Sequence, residues 1–325
     1  MIIQQSVREF FCGPLCVQLA CESQRLRERL SVTLGMYDVR WGAPHRAIEL
    51  QVHETDERAP MVNSSYLRCS RMTVRRIPGG LLATSSSGAS ATLVQSTDLD
   101  RWQLQVPGTL VDLEELEDFL VLVLTTGWRG LDWIPLHAGA LTKAGRCIVV
   151  CAPSGGGKST LTAALMRAGW LTLGDDKLLL RMVDGLPRIA ALLHSLNLHP
   201  RTRDWFPEVG DLWSLPAYSA WTEKRKVSIR AIWPESTARE SVPTHVVLLQ
   251  RRSDLGSASA RPLDPDEIFH TLLRQTVVPT DRIEAARSLR AVAQLADRVQ
   301  GVQFSIGENA FRDAACLTAL ERSLT

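Results

Sequence analysis

The chain has 325 residues, 45% hydrophobic and 22% charged, and its 37 basic and 35 acidic side chains nearly cancel. That composition excludes wholesale disorder, and the balance of charge leaves no global field to draw nucleic acid or a membrane surface. Length suggests two domains, at roughly 100 to 200 residues each. Seven cysteines, an odd number with Cys147 and Cys151 inside an apolar run, suit a reducing compartment better than a disulfide framework. Cys12, Cys16 and Cys21 lie close together but lack the paired spacing and companion histidines of a zinc site. Charges at Arg8, Glu9, Glu22, Arg25 and Arg27 do not fit a signal peptide, and apolar runs are too short to span a membrane. A cytoplasmic protein without membrane or nucleic-acid partners is expected.

From Ser31 to Gln105, short alternating runs such as residues 47–52 and 72–77 are separated by Pro, Gly and Ser clusters. This pattern predicts an antiparallel, strand-rich N-terminal domain, with Pro78-Gly79-Gly80 as a turn and residues 85–90 as a loop or hairpin tip. Asp112 and Glu115 form a capping-box-like start for a helix carrying Leu113, Leu116, Phe119, Leu120 and Val123 at helical spacing, ending over residues 125–130. Beyond Trp128, long apolar runs alternate with helical segments, the pattern of α/β units, so the domains are placed at 1–128 and 129–325. Later in the chain, residues 245–250 read as an interior strand, residues 263–278 as a capped helix, and residues 281–296 and 309–324 as two further helices.

The strongest signal is the run from Arg146 to Thr160, an apolar strand leading into Ala152-Pro153-Ser154-Gly155-Gly156-Gly157-Lys158-Ser159-Thr160. This is a phosphate-loop context. Glycines let backbone N–H groups close around phosphate oxygens, and the following helix turns its positive end to the same anion. Residues Ser154, Gly155, Gly156, Gly157, Lys158, Ser159 and Thr160 are therefore the candidate ATP cradle. Lys158 would neutralise the β and γ phosphates, and Ser159 would offer a hydroxyl to Mg²⁺. Ala152 stands where the full pattern has glycine.

Downstream, Gly174-Asp175-Asp176 interrupts two apolar runs, so a strand delivers two carboxylates to its end. Such a pair can divide labour, one acid holding the metal and the other taking a hydroxyl proton. Upstream, His137 lies in an apolar segment just before the phosphate-loop strand and is placed on a neighbouring strand.

Taken together, Leu136-His137-Ala138-Gly139, the phosphate loop and Gly174-Asp175-Asp176 resemble, in order and spacing, the HPr kinase/phosphorylase family and its HPr kinase-like relatives. The likeness covers residues 134–180 and, less specifically, Lys224-Arg225-Lys226-Val227 and residues 245–273. It implies an α/β fold: a P-loop kinase domain related to phosphoenolpyruvate carboxykinase, preceded by a smaller strand-rich α+β domain. It also implies transfer of the γ-phosphoryl group of ATP to a serine hydroxyl with Mg²⁺. In that scheme Lys158 holds phosphates, Ser159 and Asp176 hold the metal, Asp175 is the general base, and His137 contacts the phosphate or tunes Asp175. An oligomer is implied as well. Bifunctional members carry a glycine-rich signature that residues 191–199 lack, which counts against phosphorylase activity and against HPr as substrate. The reading leans instead toward kinases similar to those that phosphorylate a serine of a lasso-peptide precursor.

On the substrate side, Arg201, Arg203, Lys224, Arg225 and Lys226 are candidates to steer an acidic or phosphorylated acceptor, Lys224 and Lys226 foremost. Trp205, Trp213, Trp221 and Trp233 are candidates to line a peptide groove. Two other functions use the same loop: a kinase for a small hydroxyl compound such as a sugar or nucleoside, and a regulator that binds ATP without transferring phosphate. The paired acids argue against the regulator.

Overall fold

In the N-terminal part of the computed structural model, strand patterning builds one nine-stranded sheet. Its strands are β1 (Arg8–Gly13), β2 (Leu15–Cys21), β3 (Val39–Arg40), β4 (Arg46–Thr55), β5 (Leu67–Arg68), β6 (Met72–Ile77), β7 (Gly80–Ser85), β8 (Ser90–Gln95) and β9 (Arg101–Pro107). They lie in the order β3-β1-β2-β4-β9-β8-β7-β6-β5. The structure describes residues 7–55, 65–68, 71–96, 100–108, 113–192, 194–219, 222–252, 257–307 and 314–324. Along β9 the buried Trp102, Leu104 and Val106 alternate with Arg101, Gln103 and Gln105, the period expected of a half-buried strand. The β6–β7 and β7–β8 hairpins turn at Pro78-Gly79 and at residues 86–89, as the turn residues imply.

The sheet is mixed and not antiparallel throughout. The pairs β1–β3, β2–β4 and β4–β9 are parallel. Between β2 and β4 the chain passes through helix α1 (Gln24–Met36), and a helical crossover returns the next strand in the same direction. Ser23 caps this helix, its side chain accepting from the Leu26 N–H, and Leu26, Leu30 and Leu34 form its buried stripe. Ser31, taken in the sequence as the start of strand-type patterning, lies inside α1.

Helix α2 (Leu113–Gly130) ends within the span its sequence suggests, and near its end the buried Trp128 donates from Nε1 to the Cys12 carbonyl at 2.9 Å. Asp112 of the expected capping box lies outside the described residues. The chain separates into two compact units, Met1–Ile134 with Val277–Arg287, and Pro135–Thr276 with Ser288–Thr325. The returning segment belongs to the first unit through Thr280, whose N–H donates to the Tyr66 carbonyl at 2.7 Å, and Glu284, which accepts from the Tyr66 hydroxyl.

The second unit is α/β. It contains β10 (Ile134–Leu136), β11 (Gly139–Lys143), β12 (Arg146–Cys151), α3 (Lys158–Arg167), β13 (Leu171–Gly174), β14 (Leu178–Val183), β15 (Leu186–Ala191) and β16 (Ser195–Leu198). There follow β17 (Ala217–Ser219), β18 (Thr222–Ser228), α4 (Ile229–Ile232), β19 (Glu240–Ser241), β20 (His245–Arg251), β21 (Ser259–Leu263), α5 (Pro265–Leu273), α6 (Arg282–Ala296), which begins in the first unit and enters the second at Ser288, β22 (Gln300–Ile306) and α7 (Ala314–Ser323). The main sheet has the order β13-β11-β12-β20-β22-β21, with smaller sheets β10-β14-β15-β19 and β16-β18-β17 beside it. Leu161, Leu165 and Met166 of α3 pack with Ile148 and Val150 of β12 and with Phe304 of β22 in one apolar core. α5 opens on a full capping box between Asp264 and Glu267. It ends at Leu273, earlier than its periodicity suggests, since the Gln275 carbonyl turns away to accept the His137 N–H at 2.8 Å.

Strand direction decides which residues meet. β20 and β22 run parallel to β12, so Arg251, Ile306 and Gly307 arrive at the same end as the loop that follows Cys151. β11 runs against β12, and β13 runs against β11. The end of β13 and the start of β11 therefore reach that edge too, bringing Asp175, Asp176 and His137 beside residues 152–157. Ligands of open α/β sheets gather at such carboxyl ends.

Candidate functional site

The loop after β12 has the geometry its glycines imply. Gly155 and Gly157 sit at φ +76° and +93°, where a side chain is strained, and Gly157 occupies the N-cap of α3. The loop folds on a bond from the Gly156 N–H to the Pro153 carbonyl at 2.9 Å. Ala152 is nearly fully buried and is not among the described residues with positive φ, so the first loop position needs no glycine here.

Lys158, only 9% exposed, sends its Nζ to Asp176 Oδ1 at 2.9 Å. His137 Nε2 lies 3.5 Å from the same oxygen. His137 is not on a strand: it occupies the junction between β10 and β11, where the chain leaves one sheet for another, and its ring is more than half exposed. Burial works against a charge on Asp176, but Lys158, then His137 and Lys177, outweigh it and hold this carboxyl below the usual aspartate range. Partial desolvation lowers the His137 pKa; Asp176 opposes that effect, while Lys158, Lys177 and Lys224 reinforce it. His137 is therefore neutral at neutral pH.

Asp175 has the opposite environment. It is fully enclosed, and burial, opposed by Lys158, raises its pKa. The Thr162 hydroxyl lies 3.2 Å from Asp175 Oδ1 and 3.0 Å from the Lys158 carbonyl, with one proton to share. The Ser159 side chain also favours the charged form of this carboxyl, while Asp175 Oδ2 is buried without a hydrogen-bond partner. A Cβ added at Gly139 would come within 3.1 Å of the Asp175 carbonyl, so β11 can approach the acids this closely because it begins on glycine.

A cavity of about 470 Å³ opens over the loop. It is lined by His137, by all of residues 152–160 and by Asp176, but not by Asp175. Asp175, expected as the base, does not line the cavity, and Asp176, expected as a metal ligand, does. A general base has to face the cavity, and of the two acids Asp176 is the one that lines it. Asp175 accepts from Thr162, with Ser159 also favouring its charged form, whereas Asp176 is engaged by Lys158.

The same environment decides whether Mg²⁺ suits these residues. Among the described residues no group of three or more His, Cys, Asp or Glu side chains forms a metal cage. Mg²⁺ beside a nucleotide needs only one or two protein oxygens, the rest coming from phosphates and water. The Ser159 hydroxyl and the Asp175 carboxyl are hard oxygen donors, and the unpartnered buried Oδ2 of Asp175 is the feature such a cation would satisfy.

The far wall is built by β16, β18 and the short 3₁₀ helix Pro200–Trp205. Leu196, Leu198 and Val227 turn into the core, and the alternate face presents Asn197 and Lys224 to the cavity, joined by His199, Arg201, Thr202 and Trp205. Lys226 shares that face but does not line the cavity, and Arg203 does not line it either. Trp213 is half exposed with the Arg225 guanidinium 5.2 Å from its ring, and Trp233 packs on the core. Trp221 lies outside the described residues. Thr162, Asn197 and His199 were missed as site residues. Thr162, one helical turn after Lys158, offered a signal in its spacing, whereas Asn197 and His199 belong to no motif.

No protein-family model matches the sequence, and no curated protein matches it. Among solved structures, the Hpr(Ser) kinase/phosphatase from Coxiella burnetii superposes on 58% of this chain and 93% of its own, with a TM-score of 0.33 and 9% sequence identity. Among the described residues, no helix is long and apolar enough to cross a membrane.

Proposed function

We propose that this chain is an ATP- and Mg²⁺-dependent kinase, a P-loop catalytic unit on the phosphoenolpyruvate carboxykinase-like plan, that phosphorylates a serine hydroxyl of a peptide or protein. The observation that carries the reading is Asp176, a carboxylate held between Lys158 and His137 at the mouth of a phosphate loop. A triphosphate would take the backbone N–H groups of residues 154–157 and the N-terminal end of α3. Ser159 and Asp175 would hold Mg²⁺, which when bound spreads the charge of the phosphates.

Lys158 has two claims on it. Without nucleotide it neutralises Asp176; a bound phosphate competes for the same ammonium. As Lys158 is drawn away, Asp176 loses its strongest counter-charge and becomes the better proton acceptor. The acceptor oxygen then forms its bond to the γ-phosphorus, the bond from that phosphorus to the bridging oxygen breaks, and ADP leaves. The hydroxyl proton passes to Asp176, with neutral His137 donating from Nε2 to steady the carboxylate.

The test is phosphate transfer from Mg·ATP to a pool of serine-containing peptides, read as a phosphate-sized mass gain in wild type, Lys158→Met and Asp176→Asn. Transfer that survives Asp176→Asn would refute the reading. Tight nucleotide binding with sugars or nucleosides modified in place of peptides would move it to a small-hydroxyl kinase.

A further inference from the structure

The wall opposite the phosphate loop holds cations that phosphate-loop chemistry does not use. Lys224 is half-buried on β18 and Arg201 is exposed on the 3₁₀ helix, and both line the cavity. Neither side chain forms an ion pair among the described residues, although carboxylates are at hand. Glu223, next to Lys224, is engaged by His199 Nε2 at 3.0 Å, and the Arg201 N–H fixes that ring by donating to its Nδ1 at 3.1 Å. A lysine facing a cavity without a carboxylate partner leaves its ammonium free to take a ligand's anion.

Its position narrows what the ligand is. Alternation along β18 turns Arg225 and Val227 to the side of Leu198 and Leu196, leaving Lys224 on the cavity side with Asn197 of β16. Asn197 Oδ1 is buried there without a partner, ready to accept from a ligand N–H. Lys224 lines the same cavity as His137.

We propose that Lys224 and Arg201 bind an oxyanion carried by the acceptor beside its reactive hydroxyl, with Asn197 taking an acceptor N–H, so that this kinase selects serines flanked by a carboxylate or a phosphate. This rests on the kinase reading above and names its substrate class. The carboxylate would come from a neighbouring Asp or Glu, the phosphate from a residue already phosphorylated. Charge-assisted hydrogen bonds of this kind distinguish ligands by roughly 10- to 100-fold.

Binding is read before turnover. Protein loaded with Mg²⁺ and a non-hydrolysable ATP analogue is titrated with labelled heptapeptides whose central serine is flanked on both sides by Asp, by phosphoserine or by Asn. Asp- or phosphoserine-flanked peptides should bind roughly 10- to 100-fold tighter than the Asn-flanked one. Which of the two binds tighter identifies the source of the oxyanion. Lys224→Glu should erase the preference, Arg201→Gln should weaken it, and nucleotide affinity should stay within about twofold in both. Equal affinity for all three peptides in the wild type would overturn the proposal. So would an equal loss on charged and neutral peptides in Lys224→Glu, which would place Lys224 on the transferring phosphoryl group. If neutral peptides are phosphorylated without preference, the acceptor proposal fails and the kinase stands; if nucleotide binds and no peptide is bound or modified, both fail.

Discussion

The floor beneath the phosphate loop and the open cavity above it treat two consecutive carboxyls in opposite ways. Asp175 is sealed among Thr162, Ser159 and the β11 backbone, and its pKa is raised by burial. Asp176, one residue on, faces the cavity with Lys158 and His137 and is held below the usual range. Environments that push neighbouring acids apart in pKa are how one site obtains two functions from one residue type. In the kinase proposed above, the floor would hold the cation and the mouth would take the proton.

The largest effect expected from breaking this contrast is on turnover. Asp176→Asn should lower kcat by roughly 10³-fold, the span of a lost general base. Mg·ATP affinity in the same variant should be equal to wild type or tighter, since Lys158 no longer has to leave a carboxylate; calorimetric titration checks this. Lys158→Met should weaken Mg·ATP binding by roughly 10- to 100-fold through loss of charge-assisted bonds. His137→Gln should cost less, about 10-fold in kcat, with nucleotide binding retained.

The pH profiles sharpen the contrast. Because Lys158 and His137 overcome desolvation and lower the Asp176 pKa in the free protein, the acid limb of kcat/KM should fall below the ordinary aspartate range. The acid limb of kcat, which reports the loaded enzyme, should lie higher, because phosphates have drawn Lys158 away. Coincident limbs would show that Lys158 stays on Asp176 throughout.

The smallest effect is on stability, and its sign is opposite to that on function. A group whose folded pKa is raised supports folding below its unfolded pKa and loses that support as pH rises through the folded value. For Asp175 the loss therefore runs upward from the ordinary aspartate value near 3.8. Asp175→Asn should raise the melting temperature of the nucleotide-free protein at neutral pH by a few degrees, and the gain should shrink as pH falls toward 4. A variant that melts lower than wild type at pH 7 would mean that the buried carboxylate is stabilised by groups other than Thr162 and Ser159.

How much of this was legible depends on how local each feature is. The loop from Ala152 to Thr160 and the acids after β13 are contiguous, with residue types set by backbone geometry, so reading them required no tertiary information. Which acid faces the cavity was not readable. Adjacent residues at a strand end differ by a rotation that only packing against Thr162 and Gly139 settles. His137 was legible as a candidate but not as a junction residue, since its position depends on the Gln275 carbonyl far along the chain. The wall carrying Lys224 joins a strand, a hairpin partner and a 3₁₀ helix without a shared motif. In the first unit, the helical spacing of Leu26, Leu30 and Leu34 in α1 went unread, and the β-type runs after it drew the reading toward an antiparallel, strand-rich domain.

The division of labour between the two acids is tested most directly by measuring Mg·ATP affinity and peptide phosphorylation side by side in Asp175→Asn and Asp176→Asn. The expected result is that Asp176→Asn binds Mg·ATP fully and transfers nothing, while Asp175→Asn loses the Mg²⁺-dependent part of nucleotide affinity. The reverse pattern, with metal dependence lost at Asp176 and transfer alone lost at Asp175, would contradict it.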